Sequence, residues 1–179
     1  MYQDNELIIR AVEEKDLQRL WELIYKDEQP EWKKWDAPYY PHHSKTFEEF
    51  LPIGQKWICQ ADFWVIEVAD VVRGIVSYYW EHEPSQWLEV GIVFHENGSW
   101  GKGLGTRALK LWVHHLFNTM PLVRVGFTTW SGNERMIRVG EKLNMQMEAR
   151  IRKVRYYDGH YYDSIRMGIL REEWESAQI

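Results

Sequence analysis

A chain of 179 residues, 45% hydrophobic and 27% charged, has the make-up of one globular domain, long enough for a well-buried core and too short for two. A formal net charge of −5 argues against broad attraction to nucleic acid or anionic membranes, so neither is expected as a partner. With Cys59 the lone cysteine, no charged-then-apolar leader at Met1–Arg10 and no apolar run of membrane-spanning length, a cytoplasmic protein with a buried Cys59 thiol is expected.

Leu7–Arg10 reads as a short strand, and Glu13–Tyr25 as a helix whose Leu17, Leu20, Trp21 and Ile24 share one face. Next comes an aperiodic aromatic loop, where Trp32, Trp35, Tyr39 and Tyr40 sit among Pro30, Pro38 and Pro41. Such rings serve either as core or as flat walls for a ligand. Thr46–Cys59 reads as helical in part, with Phe47, Phe50 and Leu51 inward and its extent left open by Pro52 and Gly54. Phe63–Val68 and Val71–Trp80, joined by Ala69-Asp70, predict a hairpin, and Trp87–Phe94 a further strand. The polar His95–Ser99 then leads through Trp100–Thr106 into a helix with Leu104, Ala108, Leu111 and Trp112 on one face. Val123–Trp130 predicts a strand parallel to Trp87–Phe94, closing a βαβ unit. A helix from about Asn133 to Leu143 stops at Asn144, a residue suited to the left-handed conformation. Met147–Tyr157 and His160–Leu170 flank Asp158-Gly159, a two-residue hairpin turn. The sum is an α/β (mixed α+β) fold, one domain over residues 1–179. Its twisted mixed sheet is parallel at the centre and antiparallel at the flanks, with helices on both faces.

The run Trp100-Gly101-Lys102-Gly103-Leu104-Gly105-Thr106 reads as a phosphate cradle. Alternate glycines let the backbone approach a ligand, and the unpaired N–H groups of the next helix face outward at the positive end of its dipole. Lys102 adds a charge in that turn. A dinucleotide-binding oxidoreductase is the main rival, since Gly103, Gly105 and Ala108 satisfy G-x-G-x-x-A. It fails on context, because Val123–Trp130 carries no acidic residue at its end and no room remains for a substrate domain. A P-loop ATPase lacks its motif altogether. His42-His43 and His114-His115 suggest no metal, because adjacent side chains point apart and no second ligand set accompanies them.

Several segments together resemble the GNAT N-acetyltransferases, most of all the branch of ribosomal-protein N-terminal acetyltransferases. They are Ile9-Arg10-Ala11 with Asp16-Leu17, Leu88–Phe94, Trp100–Leu109, Asn133 with Lys142–Met145, and the closing hairpin with Arg152, Asp158-Gly159 and Asp163. The resemblance implies acetyl-CoA as cosubstrate and no metal. The amides of Gly101 to Thr106 would hold the pyrophosphate, with Trp100 at a motif position where the family commonly has Arg or Gln. Ile92, Val93 and Phe94 would pair with the pantetheine arm as an added strand, and Asn133 would lie along the cofactor, a role that leaves room for its serving as an N-cap. Besides Trp100, two further departures stand out. Asn144-Met145 replaces a common Gly-Phe, and Met136 and Gly140 occupy positions where the family often has a Ser or Tyr acid.

Amide formation from a thioester needs a neutral amine, an oxyanion donor and a base. A backbone N–H near Ile92 or Val93 suits the donor. Glu89, interrupting an apolar strand just before that segment, suits the base, acting directly or through water, although a solvent-facing or cation-paired Glu89 fits the same spacing. The loop with Trp35, Tyr39 and Tyr40 is expected to wall the acceptor, either a protein N-terminal amine or a small-molecule amine. Arg150, Arg152, Lys153 and Arg155 are expected on a solvated sheet face, with Arg150 and Arg152 on one side and Lys153 and Arg155 on the other, and binding of the cofactor 3′-phosphate or of an acidic substrate is the alternative reading of the same cluster. A non-catalytic acyl-CoA-binding module is the alternative function, and a homodimer is compatible with either.

Overall fold

A computed structural model of the chain describes residues 1–96 and 103–177. Its strands are β1 (Tyr2–Asp4), β2 (Leu7–Ala11), β3 (Phe63–Val68), β4 (Val71–His82), β5 (Trp87–Phe94), β6 (Arg124–Trp130), β7 (Gln146–Tyr157) and β8 (His160–Leu170). They form one sheet in the order β1-β2-β3-β4-β5-β6-β8-β7. Among the strands described, β5 and β6 pair in parallel, joined through a helix as a βαβ unit, and the other neighbours are antiparallel. The helices are α1 (Leu17–Ile24), α2 (Phe47–Gln55), α3 (Leu104–Thr119), α4 (Glu134–Lys142) and the short α5 (Arg171–Ser176). No helix among the described residues is long and apolar enough to cross a membrane.

Strand alternation sorts the core onto two faces. Leu88 and Val90 of β5, Val125 and Phe127 of β6, and Ile165 and Met167 of β8 pack under α3, whose Leu109, Trp112 and Leu116 are fully buried. On the opposite face Val65 and Val72 pack against Leu17 and Leu20 of α1 and Phe50 of α2. Glu89, between Leu88 and Val90, is therefore turned toward the α1–α2 face.

The helix expected over Glu13–Tyr25 begins only at Leu17, after a 3₁₀ turn at Glu14–Asp16. The buried Asp16 carboxylate explains this, because it accepts from Arg10 at 2.7 and 2.9 Å and from the Glu13 N–H at 2.9 Å, holding a tighter turn. α2 starts on a reciprocal cap between Thr46 and Glu49 and ends at Gln55, four residues short of Cys59. Cys59 is exposed, contrary to the expected buried thiol. It lies between α2 and β3 at φ 57°, with its N–H anchored on the Val12 carbonyl at 3.1 Å, so the backbone is held and the side chain turns outward. Both turn readings hold: Ala69-Asp70 and Asp158-Gly159 have positive φ throughout, and Asn144 is left-handed at φ 59°.

Candidate active site

The parallel ladder between β5 and β6 runs only from Trp87–Arg124 to Glu89–Gly126. Beyond it β5 stays with β4 as far as Phe94, and β6 stays with β8 as far as Trp130. The two strands part, and among the described residues the edge of Val90–Val93 that faces β6 has no ladder. A cleft of about 690 Å³ opens there, within the roughly 300–1,000 Å³ of small-molecule sites.

Most residues expected to hold the cofactor line this cleft. Ile92, Val93 and Phe94 form one wall, Asn133 stands on it, and Gly103, Leu104, Gly105 and Thr106 close one end. Trp100, Gly101 and Lys102 lie outside the described residues. The first backbone bond of α3 runs from the Arg107 N–H to the Gly103 carbonyl at 3.1 Å, so the N–H groups of Leu104, Gly105 and Thr106 have no partner inside the helix. Gly103 makes the entry possible at φ 76°, with open space where a Cβ would stand. Orphan amides at the head of a long helix suit a phosphate. α4 adds Arg135, Arg138 and Lys142 to the same lining. These three cations were missed in the sequence, yet their spacing places them on one helix face and was a usable signal. The residues present therefore fit a cofactor with a phosphorylated end and an extended arm.

Asn133 caps α4, its Oδ1 accepting from the Met136 N–H at 3.1 Å, while its Nδ2 donates to the Trp35 carbonyl at 3.0 Å. That carbonyl also accepts from the Trp130 indole at 2.9 Å. The aromatic loop is thus fastened to β6 and to the head of α4. Trp35 and Asp36 line the cleft, whereas Tyr39 and Tyr40 stand one layer back, Tyr39 edge-on to Trp130 at 6.0 Å. The Asp36 carboxyl stays open to the cleft but is crowded by protein, and the resulting desolvation raises it above the usual carboxylate range, with Lys33 opposing.

Glu89 is 2% exposed and is not part of the cleft surface. Its Oε2 accepts from the Thr128 hydroxyl at 2.6 Å and from the Tyr79 hydroxyl at 2.9 Å, and its Oε1 accepts from Arg166 at 3.3 Å. The sheet dictates this group. Tyr79 is opposite Glu89 on β4, Gly126 is its partner on β6, and Thr128 is opposite Arg166 on β8, so one row crosses four strands on one face. Thr128 lines the cleft and Tyr79, half exposed, is not among the lining residues, so the carboxylate lies between a cleft hydroxyl and one that reaches the surface. Burial first, then the charge of Glu89, pushes the Tyr79 hydroxyl far above its ordinary range.

The two positions that lack an acid differ in their surroundings, Met136 lining the cleft and Gly140 lying in the core. Met136 is partly buried against the α3-side core. At Gly140 a Cβ would lie 2.8 Å from both Met167 Sδ and Phe127 Cζ, so no side chain fits without moving the core.

The expected face assignment of the basic cluster does not hold. β7 shifts register between Ile151, opposite Ser164, and Arg155, opposite Tyr162, so Arg152, Lys153 and Val154 bulge out and strict alternation is lost. Arg150 binds Asp163 at 2.6 Å, the Lys153 N–H donates to the same carboxylate at 2.9 Å, and Arg155 is carried onto the aromatic loop, 4.9 Å from the Tyr39 ring centre.

Comparison with known proteins agrees with this fold. The family model described as Acetyltransferase (GNAT) domain matches residues 6–146. YdaF of Bacillus subtilis (strain 168), provisionally named a ribosomal N-acetyltransferase, is 28% identical over 177 residues, which is 96% of this chain and 95% of that protein. Spermidine N(1)-acetyltransferase of Escherichia coli (strain K12) is 31% identical over 74 residues, 41% of this chain and 40% of that enzyme. Among solved structures, spermidine N-acetyltransferase from Vibrio cholerae in complex with CoA and spermine superposes with a TM-score of 0.77 at 19% identity, over 96% of this chain and 99% of that one.

Proposed function

Since the chain belongs to the GNAT acetyltransferase family, whose members use acetyl-CoA, we propose that it acetylates a primary amine by direct attack within a ternary complex. The acceptor is a protein N-terminal amine or a small-molecule amine. The observation that carries this reading is the early end of the β5–β6 ladder, which exposes a strand edge leading from the head of α3 to Thr128 and Glu89.

Acetyl-CoA supplies the acetyl group as an activated thioester. Toward it, the orphan amides of Leu104–Thr106 and the α4 cations take the phosphate charge, and the backbone of Ile92–Phe94 takes the arm as an added strand. A backbone N–H near Ile92 or Val93 stabilises the developing oxyanion. Asp36 meets the incoming ammonium in the cleft, and the ammonium gives one proton to water to become the neutral nucleophile. As the amine nitrogen bonds to the acetyl carbon and the carbon–sulfur bond breaks, the amine proton passes to the Thr128 oxygen while the Thr128 proton moves to Glu89. Tyr79 links that carboxylate to solvent for the return. α4 supplies no acid, and water suffices because a thiol of pKa about 8.5 leaves as a tolerable thiolate.

Free-thiol release from acetyl-CoA, measured with short peptides, free amino acids and spermidine as acceptors, tests the reading. Enzyme-dependent turnover on at least one class is expected. Tight acetyl-CoA binding with no turnover on any acceptor would leave only an acyl-CoA-binding module.

A further inference from the structure

Arg155 is a partly buried cation beside the aromatic loop whose charge no carboxylate answers. Other arginines of the sheet are paired, Arg150 with Asp163, Arg124 with Glu148, and Arg166 with Glu81 and Glu89, whereas Arg152 and Lys153 make no side-chain ion pair among the described residues but stand exposed on the bulge. Arg155 has no carboxylate within ion-pair distance among the described residues. Its Nε is buried without a hydrogen-bond partner, and its NH1 makes only a long 3.5 Å approach to the Val154 carbonyl. The guanidinium instead lies over Tyr39 at 4.9 Å and Tyr40 at 5.9 Å. Stacking of that kind occupies the flat face of the group and leaves its N–H edge for a second ligand.

The position is built. Asp163 clamps the bulge that aims Arg155, and is itself tied to Ser131 at the end of β6, its N–H donating to the Ser131 hydroxyl at 2.9 Å. Tyr39, under Arg155, rests on Trp130, two residues along β6 from Thr128 on the same face. Three residues before Tyr39 on the same loop, Asp36 lines the cleft. One short loop thus carries, at Asp36, an acid that suits an ammonium and, at Tyr39 and Tyr40, the rings on which β7 lays an arginine that suits a carboxylate.

Resting on the acetyltransferase reading, we propose that Arg155 selects acceptors carrying a carboxylate close to the reactive amine, as a protein N-terminus with Asp or Glu in its first residues does, and disfavours polycationic amines. A free amino acid offers the same pair of charges, so the acceptor arms must separate the two sources. Peptides beginning Ser-Glu, Ser-Gln and Ser-Lys, free serine, and spermidine are compared in two measurements: calorimetric binding in the presence of CoA, and kcat/KM with acetyl-CoA. The Ser-Glu peptide is expected to exceed Ser-Gln by about tenfold in both, carried by KM, a difference of about 1.4 kcal/mol. Arg155→Gln brings that ratio to about one, Arg155→Lys keeps part of it, and Arg152→Gln, on the exposed bulge, keeps all of it.

An unchanged ratio in Arg155→Gln, an equal loss in Arg152→Gln, or preference for spermidine overturns the inference. Free serine outperforming every peptide would do the same for the N-terminal acceptor. A binding ratio that persists without turnover on any amine overturns the transferase reading alone, and acetyl-CoA affinity of each variant verifies its fold.

Discussion

Glu89 is where one side chain's surroundings decide its chemistry. A carboxylate with both oxygens engaged and almost no exposed surface cannot meet a substrate amine directly, so any proton it receives arrives through Thr128 or Tyr79. The residue-scale prediction follows from that route. Glu89→Gln keeps the shape but not the proton sink, and kcat should fall by about 10²–10⁴ while calorimetric acetyl-CoA affinity holds. Thr128→Val, which keeps volume and removes the relay, should fall with it, and Thr128→Ser should retain most of the rate. Equal activity of the valine and serine variants would remove Thr128 from the path and shift the role of base to Asp36, which Asp36→Asn would then reveal.

Among the elements, α4 joins the two sides of the cleft. Nine residues long, it is too short to be stable by propensity alone and depends on its cap and its packing. Asn133 does two things at its head: one atom caps the helix and the other holds the aromatic loop through the Trp35 carbonyl. Separating them is an element-scale prediction. Asn133→Ala loses both and should lower unfolding stability by about 1 kcal/mol, read by urea denaturation. Asn133→Ser restores the cap but is too short to reach Trp35, so stability should recover while acceptor KM stays raised. Recovery of both would show that the loop is held without this bond.

Over the whole molecule, the two-faced sheet buries histidine with the hydrophobic core. His95, 8% exposed beneath Trp32, has its pKa driven down to about 3 by burial and by Arg19. The unfolded chain binds a proton on this side chain near pH 6.5 and the folded chain does not, so stability is full above pH 6.5 and declines as pH falls toward 3. The slope from one such group is at most about 1.4 kcal/mol per pH unit. Burial lowers His115 too, adding in the same direction. Carboxylates held low in the folded state, such as Glu96 between Arg19 and Arg73, add their own loss only below about pH 4.5. Urea midpoints should therefore drop between pH 7 and pH 5, and His95→Leu should flatten that drop. An unchanged slope in the variant would place the proton uptake elsewhere.

Local pattern decided much of this protein. Leucine spacing, β-branched runs and the turns at Ala69-Asp70, Asn144 and Asp158-Gly159 are short-range signals, and they specify the elements, their order and the parallel pair at the centre. The glycine run marked the head of α3 for the same reason: backbone freedom at Gly103 and an orphan amide row are properties of a few consecutive residues. The tertiary structure alone decided how distant residues meet. Glu89 left three environments open until the register of four strands surrounded it with Tyr79, Thr128 and Arg166. Alternation placed Arg155 on a solvated face, and a bulge clamped from the neighbouring strand carried it to Tyr39 instead. Periodicity reports which face a residue takes within one element, but a site is set by registers, bulges and packing between elements far apart in the chain, and no local pattern encodes these.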